Sequence, residues 1–538
     1  MQISGHCIGT NGADGTEPSR SDMALMALLA LVAFGIRLYF LQFYEVISAD
    51  GISYISIAKD FITGRGLAAA THYPPFYPIL LGLASTVYHD FEAAGLAVSV
   101  IMGSLLVIPV YLLGLEFFDR RVGFAAAVLA VSWPALRYWS TAVMTQGTYI
   151  TLLLLGVYCL WLAYKKGGFG PGILAGAFFA GAHLTRSEGV LVLAAAIAVL
   201  VIFTIINKLP PAKLLYVLLS VAVFFLLCSP YLVMLHELTG KWQLTGKSKI
   251  AIADALSEYL GRPDIKHDPS FKEIGYLDLF RMYPDYIRSN YLKNLAACWQ
   301  QMLPYYGWVL AALGCLMGGI AREKLAQRAY LLSTFAPLAV IIVFFFIGPE
   351  YTQPYLPVLF LFIGNGLCRT ADWAVGMAKG VPRRYTAWLG YAPLCLVLLY
   401  AAWNVVREVP ADRDVPYHFS RDGGRLDDKR VGLRLAKLLP KDAVLMTRSG
   451  RVGFYSGRSY TTPPQTDYAG MVAFAAKSKV DYLIADGQLL GSRPQLEFLY
   501  GPILEPDRPF TPPPELELIS VNQEPGGRPY IVYRFKFP

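Results

Sequence analysis

The chain has 538 residues, of which 55% are hydrophobic and only 16% charged, against about 25% charged in an ordinary water-soluble protein. That imbalance makes lipid a solvent for much of the chain and excludes a simple soluble enzyme. The net charge of +9 does not point to nucleic acid, because much of the excess sits in short loops between apolar runs, where it orients a membrane protein.

Residues 1–22 read as a cytoplasmic tail with no basic start and no small-residue cleavage site before the apolar run at Met23. The first helix is therefore a retained anchor rather than a cleaved signal. From Met23 to Val406, stretches with few charges recur at about 20 residues, the length that crosses roughly 30 Å of hydrocarbon. Spans are placed at 23–43, 93–116, 121–137, 145–164, 171–185, 189–206, 213–235, 303–320, 329–348, 354–370 and 385–406. The predicted fold is an all-α polytopic membrane domain over 23–406, with about eleven transmembrane helices and at most about thirteen. A C-terminal soluble α/β domain follows over 407–538.

With a cytoplasmic N-terminus, the short inner loops carry Arg120 and Arg121, Lys165 and Lys166, Lys208 and Lys213, then Arg322, Lys324 and Arg328, and finally Lys379, Arg383 and Arg384. The short outer connections hold only Arg137 and Arg186, so the excess of basic residues favours this orientation. Three larger pieces then lie outside: a first loop (44–92), a middle loop (236–302) and the C-terminal domain. Pro74–Tyr88 is apolar but short and begins with Pro-Pro, and it reads as a helix in or dipping into the outer interface. Gly172, Gly176 and Ala180 have the spacing that lets two membrane helices approach closely. Residues 171–185 rise only about 22 Å at ~1.5 Å per residue. The outer end of that helix, with Arg186 and Glu188, is therefore expected below the membrane surface.

The C-terminal domain alternates a helical Lys429–Leu439, a strand-like Ala443–Thr447, a helical Met471–Lys477 and a strand-like Asp481–Ala485, with further strands near Leu516–Val521 and Tyr530–Phe535. Alternation of this kind predicts an α/β layer. It contains no phosphate-cradling glycine motif. Of the seven cysteines, Cys159, Cys228, Cys315, Cys368 and Cys395 fall in apolar spans, Cys298 borders one and Cys7 lies near the start, with no CxxC pair. Disulfides and thiolate metal sites are not expected.

Four stretches carry chemistry. Ser48–Gly82 places Asp50 just after the first span, then an amphipathic helix with Ile52, Ile55, Ala58 and Ile62, then Gly-Arg-Gly, then His72-Tyr-Pro-Pro-Phe-Tyr-Pro. Arg137-Tyr138 precedes the fourth span; Leu184-Thr185-Arg186-Ser187-Glu188-Gly189 and Pro354-Tyr355-Leu356-Pro357 come later. In this order and spacing the chain resembles the polytopic glycosyltransferases of the GT-C superfamily, in the branch of protein O-mannosyltransferases and lipid A aminoarabinose transferases (families 39 and 83). The resemblance covers the whole membrane part.

It implies a GT-C-type membrane domain and a sugar donor carried on polyprenyl phosphate. It also implies an acid at the position of Asp50 that serves an inverting displacement, and a lipid, glycan or protein acceptor on the periplasmic side of a bacterial inner membrane. The chemistry itself asks for such groups: an acceptor hydroxyl needs a base as it attacks the anomeric carbon, and the departing lipid phosphate needs cations. Asp50 is the candidate base; its structural alternative is to cap the helix that begins at Gly51. Arg186, Arg137 and His72 are the candidates for the phosphate. An ion pair of Arg186 with Glu188, or snorkelling of Arg137, is the plainer role for each. Tyr54, Tyr73 and Tyr77, with Tyr138, are candidates to line a sugar or prenyl pocket, against the plainer role of an aromatic belt. Arg37, within the first span, has an open role, and the middle loop with Tyr283, Tyr286, Tyr291 and Trp299 is a candidate lid.

Two positions depart from the pattern. Gly51 follows Asp50 where an adjoining Glu is common, and the second acid expected after the Arg-Tyr pair is Gln146. No cofactor is assigned; a divalent metal ion is the one left open, since such an ion prefers several oxygen ligands. Expected partners are the lipid-linked donor, the acceptor and membrane lipids, with no nucleic acid. Competing readings are a transporter or flippase, against which no internal repeat is found, and a catalytically inactive scaffold that binds lipid-linked glycan, which Gln146 favours.

Overall fold

The computed structural model describes residues 17–246, 252, 256–257, 259–261, 274–317, 322–345, 348–377, 383–409, 424–523 and 528–537. The start of the N-terminal tail with Cys7, the centre of the middle loop and Lys379 lie outside the described residues. Contacts divide the chain into two compact units: Met1–Leu41 with Tyr54–Val409, and Gln42–Ser53 with Pro410–Pro538.

The first unit is helical. Its elements begin with α1 (Arg20–Leu41), α2 (Ala49–Ile62), α3 (Phe76–Tyr88), α4 (Phe91–Leu105), α5 (Val107–Phe117), α6 (Arg120–Ser132), α7 (Pro134–Ser140), α8 (Gln146–Lys165), α9 (Phe169–His183), α10 (Gly189–Ile206) and α11 (Leu215–Thr239). Further on come α12 (Tyr305–Leu316) and α13 (Leu356–Met377). Among the described residues eight helices are long and apolar enough to cross a membrane, or nine if the bent pair α6–α7 counts as one span. The two other predicted positions, 171–185 and 303–320, hold shorter helices, α9 with 15 residues and α12 with 12.

The expected straight span at 121–137 is instead broken, with a 56° bend between α6 and α7. Pro134 is the cause. It has no N–H to continue the ladder and pushes the residue before it out of the helical region, and Trp133 is extended at φ −64°, ψ 123°. Arg137 therefore rides on a separate short arm.

With lipid on the outside, burying apolar surface does little to hold helices together, so close backbone approach matters more. A Cβ on Gly172 or Gly176 would fall 2.9 Å from the Tyr216 carbonyl and 2.5 Å from that of Ser220, which identifies α11 as the helix that uses the small-residue stripe of α9. The tightest crossing joins α12 to α13, where a Cβ on Gly314 would lie 1.8 Å from the Phe362 carbonyl oxygen. Gly314→Ala must force these helices apart, an overpacking cost of about 1–3 kcal/mol. The expected outcome is a lower melting temperature and poorer recovery of monodisperse protein in detergent, measured beside an alanine substitution at Gly35, whose Cβ meets nothing within 4 Å.

Charged side chains gather at one end of this bundle. Arg120 pairs with Asp22 at 2.9 Å, Lys165 with Glu116 at 2.9 Å, Lys166 with Glu17 at 3.1 Å and Arg121 with Asp372 at 2.8 Å. These are the loops that the basic-residue count placed together.

The second unit contains a five-stranded sheet of order β2-β1-β3-β5-β4, built from β1 (Val444–Met446), β2 (Ser459–Thr461), β3 (Tyr482–Asp486), β4 (Leu516–Asn522) and β5 (Tyr530–Phe535). β2, β1 and β3 are parallel, and β5 and β4 close the sheet antiparallel. Helices α14 (Gly424–Leu438), α15 (Gly450–Ser456) and α16 (Tyr468–Lys477) accompany it. Val431, Leu435, Leu445, Val452, Ile484 and Val532 form one apolar cluster; Met446, Met471, Leu483, Leu499, Ile531 and Tyr533 belong to another. The sheet of mixed α/β character agrees with the sequence reading, which missed β2 and α15. β2 has only three residues, none of them buried. α15 carries two glycines that helix propensity disfavours, yet a Cβ on Gly453 would run into the Tyr460 ring at 2.2 Å.

Candidate active site

The motif residues of the membrane unit converge on the turn between α9 and α10. α9 ends at His183 and α10 begins at Gly189, so Arg186 and Glu188 occupy a tight connection. Phe76 donates its backbone N–H to the Leu184 carbonyl at 2.8 Å, which ties the His72–Pro78 stretch directly to this turn. His183, 1% exposed, has Nδ1 3.1 Å from the Ser187 carbonyl and Nε2 3.1 Å from the Leu244 carbonyl, and the neutral ring donates to one of them.

Arg186 and Glu188 form an ion pair at 2.9 Å, with side chains 12% and 18% exposed. The Arg186 guanidinium also lies over the rings of Tyr351 and Tyr149, at 5.2 and 5.8 Å from their centroids. Burial opposes its charge, but the Glu188 carboxylate, with Tyr351 and Tyr54 near it, more than offsets that and holds the guanidinium above its ordinary pKa. The cation is thus permanent and set among polarisable rings, a setting suited to a second anion.

Tyr54 belongs to the same neighbourhood. Its ring meets Tyr73 at 5.1 Å and Tyr77 at 5.3 Å, both edge-on, and His72 packs edge-on against Tyr73 at 4.6 Å. The Tyr77 hydroxyl lies 2.8 Å from Ser99 Oγ and donates to the Gly95 carbonyl at 3.1 Å. Of the residues singled out in the sequence, Arg186, Glu188, Tyr54 and His72 are therefore brought into one connected group. Tyr149 and Tyr351 were not foreseen. Their signal in the sequence is weak, since an aromatic near a helix end reads as interfacial belt.

Arg137 is placed differently. It is fully buried, with its guanidinium carbon 3.8 Å from the Phe40 centroid, and all three guanidinium nitrogens are without a hydrogen-bond partner. Arg37 lies on the same side, donating from Nε to Ser140 Oγ at 2.7 Å and from Nη1 to the Ala33 carbonyl at 3.2 Å. Tyr138 stands edge-on to Trp139 at 5.3 Å. Gln146, at the start of α8, is 1% exposed and neither amide atom finds a partner.

Tyr149 and Lys165 are sixteen positions apart on α8, a rise of about 24 Å at ~1.5 Å per residue. The Arg186 group and the basic loops thus occupy opposite ends of the bundle.

Asp50 belongs to the second unit. It stands in the first turn of α2, where the Ser48 hydroxyl accepts the Gly51 N–H at 2.9 Å. Ser48 thus caps α2, which begins at Ala49 rather than at Gly51.

No three His, Cys, Asp or Glu side chains converge on a common point among the described residues. Among the described residues, the side chains do not offer a divalent ion the several oxygen ligands it prefers, nor zinc its usual four donors.

The class of fold is a multi-pass helical membrane bundle with a C-terminal α/β unit. Comparison with solved structures agrees. ArnT from Cupriavidus metallidurans, bound to undecaprenyl phosphate, is similar over 96% of this chain and 98% of its own, with a TM-score of 0.55 and 12% identity. The oligosaccharyltransferase AglB from Archaeoglobus fulgidus, in complex with an inhibitory peptide and a dolichol-phosphate, is similar over 88% of this chain and 70% of its own, with a TM-score of 0.52 and 15% identity. A further structure of the Archaeoglobus fulgidus oligosaccharyltransferase contains Zn and sulfate and covers 90% of this chain at a TM-score of 0.52 and 14% identity. By sequence, residues 72–234 match the dolichyl-phosphate-mannose-protein mannosyltransferase family. No curated protein matches the chain by sequence. The GT-C resemblance read from the motifs thus holds, and the matched residues take in His72, Arg137 and Arg186.

Proposed function

We propose that this chain is a membrane glycosyltransferase that moves a sugar from a polyprenyl-phosphate donor to a lipid, glycan or protein acceptor, with inversion, on the periplasmic face of a bacterial inner membrane. The observation that carries this reading is Arg186: a permanent, largely buried cation, paired with Glu188 and faced by Tyr149 and Tyr351, in a turn tied to the His72–Pro78 stretch. A lipid-borne phosphate is the anion that a cation in a membrane protein can reach from the bilayer.

In the chemistry proposed, Asp50 accepts the proton of the acceptor hydroxyl as its oxygen attacks the anomeric carbon. The bond from that carbon to the phosphate oxygen breaks, and the electron pair leaves with polyprenyl phosphate. Arg186 stabilises the negative charge that grows on the departing phosphate. Glu188 orients the guanidinium, while Tyr54, Tyr73 and His72 offer an aromatic and polar wall for the sugar. Attack from the side opposite the departing group inverts the anomeric centre. Arg137, whose three guanidinium nitrogens are buried without a hydrogen-bond partner, is a second cation for the lipid phosphate, with Tyr138 beside it on the substrate side.

The test is turnover. Purified protein in liposomes, given a panel of polyprenyl-phosphate sugars with candidate acceptors, is expected to release polyprenyl phosphate from one of them; no release from any donor overturns the reading. No step here is routed through a metal ion.

A further inference from the structure

The unit that contains the C-terminal sheet also contains Gln42–Ser53, the segment between α1 and the body of α2. Its apolar side chains are interred: Phe43, Val46 and Ile47 are 7%, 1% and 0% exposed. More telling are three bonds to its backbone, all from residues about 400 positions away. Lys429 on α14 donates from Nζ to the Glu45 carbonyl. Arg451 on α15 donates from Nε to the Ile47 carbonyl at 2.9 Å, and the Ile47 N–H donates to the Tyr455 hydroxyl at 2.9 Å. Ile47 is thus held at both of its backbone groups.

The holding side chains are themselves fixed. The Lys429 ammonium sits over the Tyr455 ring at 4.9 Å. Arg451 pairs with Asp428 at 3.8 Å, and Asp428, 2% exposed, accepts from Ser449 Oγ at 2.8 Å and pairs with Arg528 at 3.5 Å. Ser449 precedes α15 and Asp428 lies on α14, so the two helices that carry the clasp are braced against each other. Directly after Ile47, the Ser48 hydroxyl caps α2. Asp50 follows in the first turn.

We propose that Arg451, Tyr455 and Lys429 are positioning residues for Asp50: the C-terminal domain acts as a clasp that fixes where the carboxylate-bearing start of α2 stands. The inference rests on the functional reading above, in which Asp50 is the base. A catalytic group has to be held to within about 0.5 Å of its working position, and a misplacement of about 1 Å can cost roughly a hundredfold in rate. Side chains that grip backbone groups suit such a task, because they set the path of the chain whatever the side chains along it.

The test uses the full-length protein in liposomes. Tyr455→Phe removes only the oxygen that accepts the Ile47 N–H, and Arg451→Ala removes the donor to its carbonyl. Both are expected to lower kcat, by about tenfold and about a hundredfold, with the KM for the lipid-linked donor unchanged. Arg451→Lys, which can still donate, is expected to recover a large part of the loss. Hydrogen exchange is expected to quicken at residues 42–53 in Tyr455→Phe and Arg451→Ala. An active wild type whose Tyr455→Phe and Arg451→Ala variants keep full kcat overturns the clasp, as does a loss in which kcat and KM move together with the melting temperature. A wild type that turns over no donor overturns the functional reading instead, and unchanged exchange at 42–53 in the variants would then overturn the clasp separately.

Discussion

Asp50→Asn is expected to lower kcat by about 10³, within the roughly 10²–10⁴ that a positioned general base supplies, while the KM for the lipid-linked donor stays within about twofold of the wild type. Asparagine keeps the shape of the side chain and loses its negative charge and, with it, the ability to take a proton. The fold should survive, because Ser48 caps the start of α2 through the Gly51 N–H. What disappears besides the base is the favourable placement of a negative charge at a helix N-terminus, about 0.3–1 kcal/mol. A melting temperature close to the wild type, with turnover almost gone, is the predicted combination. Full activity in Asp50→Asn would remove the carboxylate from the reaction.

Arg186→Ala is expected to lower kcat by about 10²–10³, the effect of deleting one group that stabilises developing negative charge, and to raise the KM for the donor as well. Here the fold complicates the result. Glu188 is only 18% exposed, and removing its partner leaves a carboxylate in a place poorly served by water, which is itself destabilising. The double variant Arg186→Ala/Glu188→Gln separates the two effects. It removes both charges, so it is expected to recover stability while activity stays lost. Arg186→Lys keeps a positive charge but not the planar fork that meets a carboxylate and a phosphate together; its activity should fall between those of the wild type and Arg186→Ala. Recovery of turnover in the double variant would make the pair a structural feature and nothing more. The measurements are steady-state kinetics on one donor, read beside thermal melting in detergent.

The membrane helices were legible because lipid imposes a simple rule on the sequence: about 20 apolar residues per crossing. Where packing among helices intervened, that rule blurred. α9 is short at 15 residues, and its glycines announced close contact without naming α11 as the partner. Pro134 was visible in the sequence, but a window of apolar residues runs straight through it, so the 56° break and the inward placement of Arg137 could not be read from hydropathy. In the soluble unit, alternation gave the helices and most strands, while α15 follows tertiary need over propensity, since only glycine clears the Tyr460 ring at position 453.

The site was partly legible in the same way. Arg186 and Glu188 are two residues apart, and a charge pair in an apolar setting identifies itself. Tyr149 and Tyr351 come from distant helices and carry no local mark. The clasp on Ile47 is invisible in sequence for a physical reason: its acceptors are backbone groups, which every residue has, and its donors lie about 400 positions away.

The central claim is that Arg186 holds a lipid-borne phosphate at the end of the bundle away from the basic loops. It is tested most directly by solving the structure of the Asp50→Asn protein in nanodiscs with its polyprenyl-phosphate sugar retained. The account predicts the phosphate within hydrogen-bond reach of the Arg186 guanidinium, beside Tyr149 and Tyr351. A lipid phosphate bound elsewhere on the bundle, with the pair of Arg186 and Glu188 undisturbed, would contradict it.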